Sequence, residues 1–163
     1  LILAQQFIAY RVPPLHESVS VVFYYIFILW LPFTVNRAWL IVLGFITGIL
    51  MDSFTRTPGM HAAACVLIGY VRPFIITFLM PNKDVHFNYK EPSVTSLGLV
   101  PYITYVIVLT ILHHVFLFSI QAFQFGNIWY LFMKILGSSL VSLLLISLIE
   151  IIFTRKQKFL TNT

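Results

Sequence analysis

Charge is scarce in this chain: Asp, Glu, Lys and Arg together make up 9% of its 163 residues, against 60% hydrophobic. Soluble domains carry about 25% charged residues, so an ordinary water-exposed surface is excluded. The mean hydropathy of +0.94 points instead to an integral membrane protein. Cysteine occurs once, at Cys65, which rules out an intramolecular disulfide and a Cys-based zinc site. Within an apolar run that thiol reads as a small buried hydrophobe. Acidic residues number five against ten Lys and Arg, for a net charge of +5. The basic residues are scattered between apolar runs and never gather with interleaved aromatics, so a nucleic-acid face is not expected. No serine stands in a GxSxG setting and no HExxH pair is present. Serine hydrolase, intramembrane protease and helix-borne metalloenzyme readings are therefore disfavoured.

What the chain does have is long apolar runs. A crossing helix needs about 20 mostly apolar residues for a core of roughly 30 Å, and the chain divides accordingly. The expected architecture is an all-α polytopic membrane protein, one domain over residues 1–163, with six helices in a compact bundle. The spans are 1–10 (partial), 19–35, 38–54, 59–79, 97–120 and 128–153. The first has only about nine apolar residues before Arg11, about 14 Å of helix, and reads as the remainder of a span that begins before Leu1. It lacks the basic n-region of a signal peptide. Pro13 and Pro14 mark a connection. Asn36 is placed to cap the third span, and Thr57 with Pro58 fits the start of the fourth. Arg72 and Pro73 interrupt the fourth span in its second half.

Charge orients these spans. With the N-terminus inside, the inner segments hold Arg37, Lys83, Lys90, Arg155, Lys156 and Lys158, and the outer connections hold Arg11 and Arg56. That imbalance predicts both termini in the cytoplasm, with the Asp52 to His61 turn and the loop after Ile120 on the outer face.

The stretch from Gly44 to Pro73, GFITGILMDSFTRTPGMHAAACVLIGYVRP, concentrates the informative residues. Gly44, Gly48 and Asp52 recur every four residues and share a helix face. A GxxxG pair lets another backbone approach closely, and Ala63, Gly69, Ser138 and Ser142 are further small residues suited to helix packing in lipid. Asp52 sits at a helix C-terminus, where the macrodipole disfavours an anion. Arg56 and His61 are its expected compensators, and the three form a predicted polar clamp. The same Asp and His as an acid/base pair would lack a nucleophile or metal, so no catalytic residue is assigned.

Other polar residues fall inside spans. His113 and His114 are adjacent and point about 100° apart on a helix, which argues against one shared metal ion. One is expected within the bundle and the other at its edge. Lys134 can snorkel from within two turns of the outer end. Arg72 and Glu150 both lie towards the cytoplasmic half and form a predicted intramembrane pair.

The run MDSFTRTPGMHAAA, Arg72 with Pro73, the stretch Pro81 to Asp84, the His113 and His114 pair and the long last helix together resemble the bacterial rod shape-determining protein MreD family. The resemblance covers about Val19 to Phe153 and is sharpest between Gly44 and Pro73. It implies a non-enzymatic scaffold of the cell-elongation complex in the inner membrane, without cofactor or metal. It further implies binding to the membrane-anchored periplasmic protein MreC and, through it, to the MreB cytoskeleton and the peptidoglycan synthases. The implied fold is a six-helix bundle similar to the substrate-binding S component of energy-coupling factor transporters. The alternative is a small-molecule-binding subunit of such a transporter, with a pocket opening outward near Asp52, His61 and the loop after Ile120.

Overall fold

The computed structural model describes Gln5 and residues 20–80, 90–122 and 128–152. The rest of the partial first span, the connection from Arg11 to Ser18, the loop from Pro81 to Asn88 and the basic tail lie outside the described residues, as does the return loop beyond Ala122. The described helices are α1 (Ile26–Leu29), α2 (Arg37–Thr55), α3 (Met60–Leu79), α4 (Val94–Leu97), α5 (Leu99–Ala122) and α6 (Ile128–Ile152). Among the described residues the fold is all-helical, and α2, α3, α5 and α6 are each long and apolar enough to cross a membrane.

Local chemistry sets the ends of these helices. Asn36 is extended, and its side chain accepts from the Trp39 amide at 2.9 Å, so it caps α2 as expected. At the other end Arg56 takes a left-handed conformation (φ 57°) and donates its amide to the Asp52 carbonyl. That geometry satisfies a terminal carbonyl of α2 and reverses the chain. The expected cap at Thr57 is not what is found. Gly59 (φ 83°) occupies the N-cap of α3, and no side chain caps the helix there. Nor does Pro73 break α3, which runs through it to Leu79.

The four long helices pack antiparallel in the order α2, α3, α5, α6. The contacts of α2 with α3 pair Leu40 with Gly69, Gly44 with Cys65 and Gly48 with Ala62. Arg72 of α3 meets Tyr105 of α5, and His114 of α5 meets Ser142 of α6.

The expected span at 19–35 is not a continuous helix. Only Ile26–Leu29 is helical, with turns on either side, and Val22 to Ile26, Ile28 and Leu29 are buried in the principal core. Pro32 stops the helix on one side, and the single turn is far too short to cross a bilayer. Irregular backbone at membrane depth is tolerated only where protein covers it. This segment meets that condition because it is folded into the bundle, against α3 and α5.

Candidate functional site

The buried irregular segment leaves backbone polar groups that no helix ladder satisfies, and side chains from the surrounding elements take them one by one. The Ser20 amide donates to Ser138 Oγ at 2.9 Å. Gln5 accepts from the Phe23 amide at 2.8 Å and donates to the Val21 carbonyl. At the end of α1 the Tyr105 hydroxyl donates to the Leu29 carbonyl at 2.9 Å, and beyond it Arg72 Nη2 donates to the Leu31 carbonyl. Phe33 returns to the backbone, its amide donating to the Lys90 carbonyl at 3.0 Å. A buried amide or carbonyl without a partner costs about 1–3 kcal/mol, so these donors and acceptors hold the segment in place.

Arg72 is only 2% exposed. Its Nε donates to the Tyr105 hydroxyl at 2.9 Å, and that hydroxyl in turn donates to the Leu29 carbonyl. The guanidinium thus serves the backbone at and beyond the end of α1, directly at Leu31 and through Tyr105 at Leu29. The expected pairing with Glu150 gives way to this arrangement. Glu150 stands instead in the wall of a cavity between α5 and α6.

The two tyrosines of the segment organise the rest of the seam. Tyr24 Oη lies 2.9 Å from His61 Nδ1 and 3.1 Å from His113 Nε2, and accepts from Cys65 Sγ at 3.6 Å. The Tyr25 hydroxyl donates to Thr110 Oγ1 at 3.0 Å, while its ring stacks on His113 at 4.4 Å between centroids. His114 Nδ1 is 2.8 Å from the Thr110 carbonyl, which can only accept, so this nitrogen carries the proton. Nε2 of the neutral ring then accepts from the Ser142 hydroxyl at 3.1 Å. Tyr24 has one proton to give. His113 Nδ1 has no partner, and an orphaned lone pair is better tolerated than an orphaned N–H. His113 therefore donates from Nε2 to Tyr24, and Tyr24 donates to His61.

Both histidines are fully buried, which corrects the expectation of one at the edge. Their 100° separation sends them to two neighbours, His113 to the irregular segment and His114 to α6. Among the described residues no group of three or more His, Cys, Asp or Glu side chains is arranged to hold a metal ion.

The expected clamp exists with different members. Asp52 is buried, and its Oδ1 accepts from the Thr57 hydroxyl and the His61 amide, each at 3.0 Å. Its Oδ2 accepts from the Ala62 amide at 3.0 Å. The compensating positive charge is thus the N-terminus of α3 itself, whose free amides and dipole favour an anion. The His61 ring turns away towards Tyr24, and Arg56 is exposed, contributing its backbone shape at the turn.

At Gly44, Gly48 and Gly69 a side chain would meet the backbone of the facing helix. A Cβ on Gly44 would lie 2.7 Å from the Cys65 carbonyl oxygen, one on Gly48 2.3 Å from Ala62 Cα, and one on Gly69 2.8 Å from the Leu40 carbonyl oxygen. Of the alanines, Ala62 and not Ala63 lies at this crossing, and Ala63 is half-buried. Ser138 and Ser142 are fully buried and act through their hydroxyls as much as through their size. Lys134 sits over the Phe118 ring at 4.9 Å and donates to Gln121 at 3.3 Å.

Tyr24, Tyr25, Tyr105 and Thr110 went unassigned in the sequence. The signal was the Tyr24 and Tyr25 doublet inside an apolar run, since a buried tyrosine hydroxyl requires a partner. No family model, curated protein or solved structure matches this chain.

Proposed function

We propose that this protein is a non-enzymatic membrane scaffold of the bacterial cell-elongation complex, seated in the inner membrane with both termini in the cytoplasm. Its partner in this reading is an MreC-like periplasmic protein with one membrane span, which links it to an MreB-like cytoskeleton and to the peptidoglycan synthases. The observation that carries the proposal is the inward use of polar chemistry. Tyr24, Arg72, Tyr105, His114 and Ser142 spend their hydrogen bonds on the chain's own interior. The outer faces offer apolar side chains, as along α6, where Leu136, Leu140, Leu144 and Leu148 are all exposed. A bundle tied together from within and apolar outside suits holding other membrane helices in position. The sequence MDSFTRTPGMHAAA adds the family resemblance, and its Ala62 lies where Gly48 of α2 approaches α3, with its amide held by Asp52.

Two measurements test the reading. Purification in mild detergent is expected to yield a stoichiometric complex with a single-span periplasmic protein, and depletion is expected to turn rod-shaped cells round. Cells that keep their shape on depletion refute the proposal. A retained small ligand together with an ATPase module would establish the transporter alternative instead.

A further inference from the structure

The cavity between α5 and α6 is not used by the polar seam. It encloses about 380 Å³ and is walled by Leu99, Ile103 and Ile107 of α5 and by Leu143, Ile146 and Glu150 of α6, among others. Such a volume falls within the range of ligand pockets, roughly 300–1,000 Å³. It is ordered along its length. At one end stand Glu150 and Leu99, and at the other Ile107 and Leu143. Eight residues of helix separate those ends, about 12 Å. Ser147 in the wall donates its hydroxyl to the Leu143 carbonyl at 2.8 Å, which withdraws its polarity from the groove.

The polar end lies where a lipid headgroup would be. With 25 residues α6 is about 37 Å long at about 1.5 Å per residue, more than the roughly 30 Å hydrocarbon core. Glu150, two residues from its described end, therefore stands close to the interface. A carboxylate offers about four lone-pair sites, so it can take an ammonium alongside its other contacts. A single extended hydrocarbon chain suits the apolar walls and the length of about 12 Å between the two ends.

From this we infer that the groove between α5 and α6 binds a phospholipid with a primary-amine headgroup, one acyl chain lying along the apolar walls and the ammonium on Glu150.

The test uses the full chain, purified and exchanged into vesicles of equimolar phosphatidylethanolamine and phosphatidylglycerol, then extracted and weighed by native mass spectrometry. The wild type is expected to retain the amine lipid over phosphatidylglycerol by about tenfold, the ratio for one charge-assisted hydrogen bond. Glu150→Gln should bring that ratio close to one, and Glu150→Asp should keep most of it. Ile107→Trp, at the groove rim, should lose bound lipid of both kinds while the protein still elutes as the folded species. Equal retention of the two lipids by the wild type, or an unchanged preference in Glu150→Gln, overturns the inference. So does wild-type lipid retention by Ile107→Trp. A photo-crosslinker at Ile103 that captures a protein instead of lipid in native membranes also overturns it, in favour of a partner helix.

Discussion

The α2–α3 and α5–α6 contacts join neighbouring antiparallel helices by opposite means. Between α2 and α3 the backbones themselves touch at Gly44, Gly48 and Gly69, and Asp52 locks the turn to the first amides of α3. Between α5 and α6 the meeting is through side chains, His114 with Ser142 and Lys134 with Phe118, and a cavity of about 380 Å³ remains at one end. Helices in lipid gain little from hydrophobic burial and associate through close packing and hydrogen bonds. The first contact uses close packing nearly to its limit. The second relies on hydrogen bonds and leaves room for another molecule.

That contrast can be broken most severely at Gly48. Gly48→Leu would drive a side chain into the Ala62 backbone, where no rotamer offers relief, and is expected to cost more than about 3 kcal/mol. Most of the protein should then fail to elute as a folded species after detergent extraction. Asp52→Ala comes next. It leaves the His61 and Ala62 amides without their acceptor and should cost about 2–5 kcal/mol, read as a fall in thermal midpoint. Asp52→Asn, which keeps an acceptor, should recover part of it.

Smaller effects are expected where side chains carry the contact. Tyr24→Phe removes the hydroxyl shared by His61, His113 and Cys65, at about 1–3 kcal/mol. Ser142→Ala, which deprives His114 of one donor at the α5–α6 contact, should cost about 1 kcal/mol in denaturant titration. A Ser142→Ala penalty equal to that of Gly48→Leu would erase the distinction between the two contacts. The charge swap Arg72→Glu with Glu150→Arg sharpens a related point. It should show no rescue relative to the single variants in thermal unfolding, because the guanidinium serves Tyr105 and Leu31.

Much of the architecture was legible from hydropathy. The expected spans at 38–54, 59–79, 97–120 and 128–153 correspond to α2, α3, α5 and α6 within two residues at each end. The reason is that long apolar runs have few alternatives to helix in lipid. The Gly44 and Gly48 pair was readable for the same kind of local reason, since its spacing alone puts both on one face. The segment at 19–35 was not, because its apolar composition fits a lipid-facing span and a buried irregular segment equally well. What distinguishes the two is whether distant residues such as Ser138, Arg72 and Tyr105 arrive to take its backbone groups.

Asp52 shows the same division at a single residue. Its position at the end of a helix announced that something must compensate its charge, and the four-residue spacing from Gly48 placed it on the packing face. Only the folded turn decided that the compensation comes from the His61 and Ala62 amides, while the His61 ring goes to Tyr24. Sequence determined the four long apolar helices and the face that Gly44 and Gly48 share, because both follow from local spacing and hydropathy. Tertiary structure decided the partners of Tyr24, Arg72, Tyr105 and the backbone groups around α1, because a hydrogen bond depends on ångström-scale proximity between residues up to 118 positions apart, as Ser20 and Ser138 are.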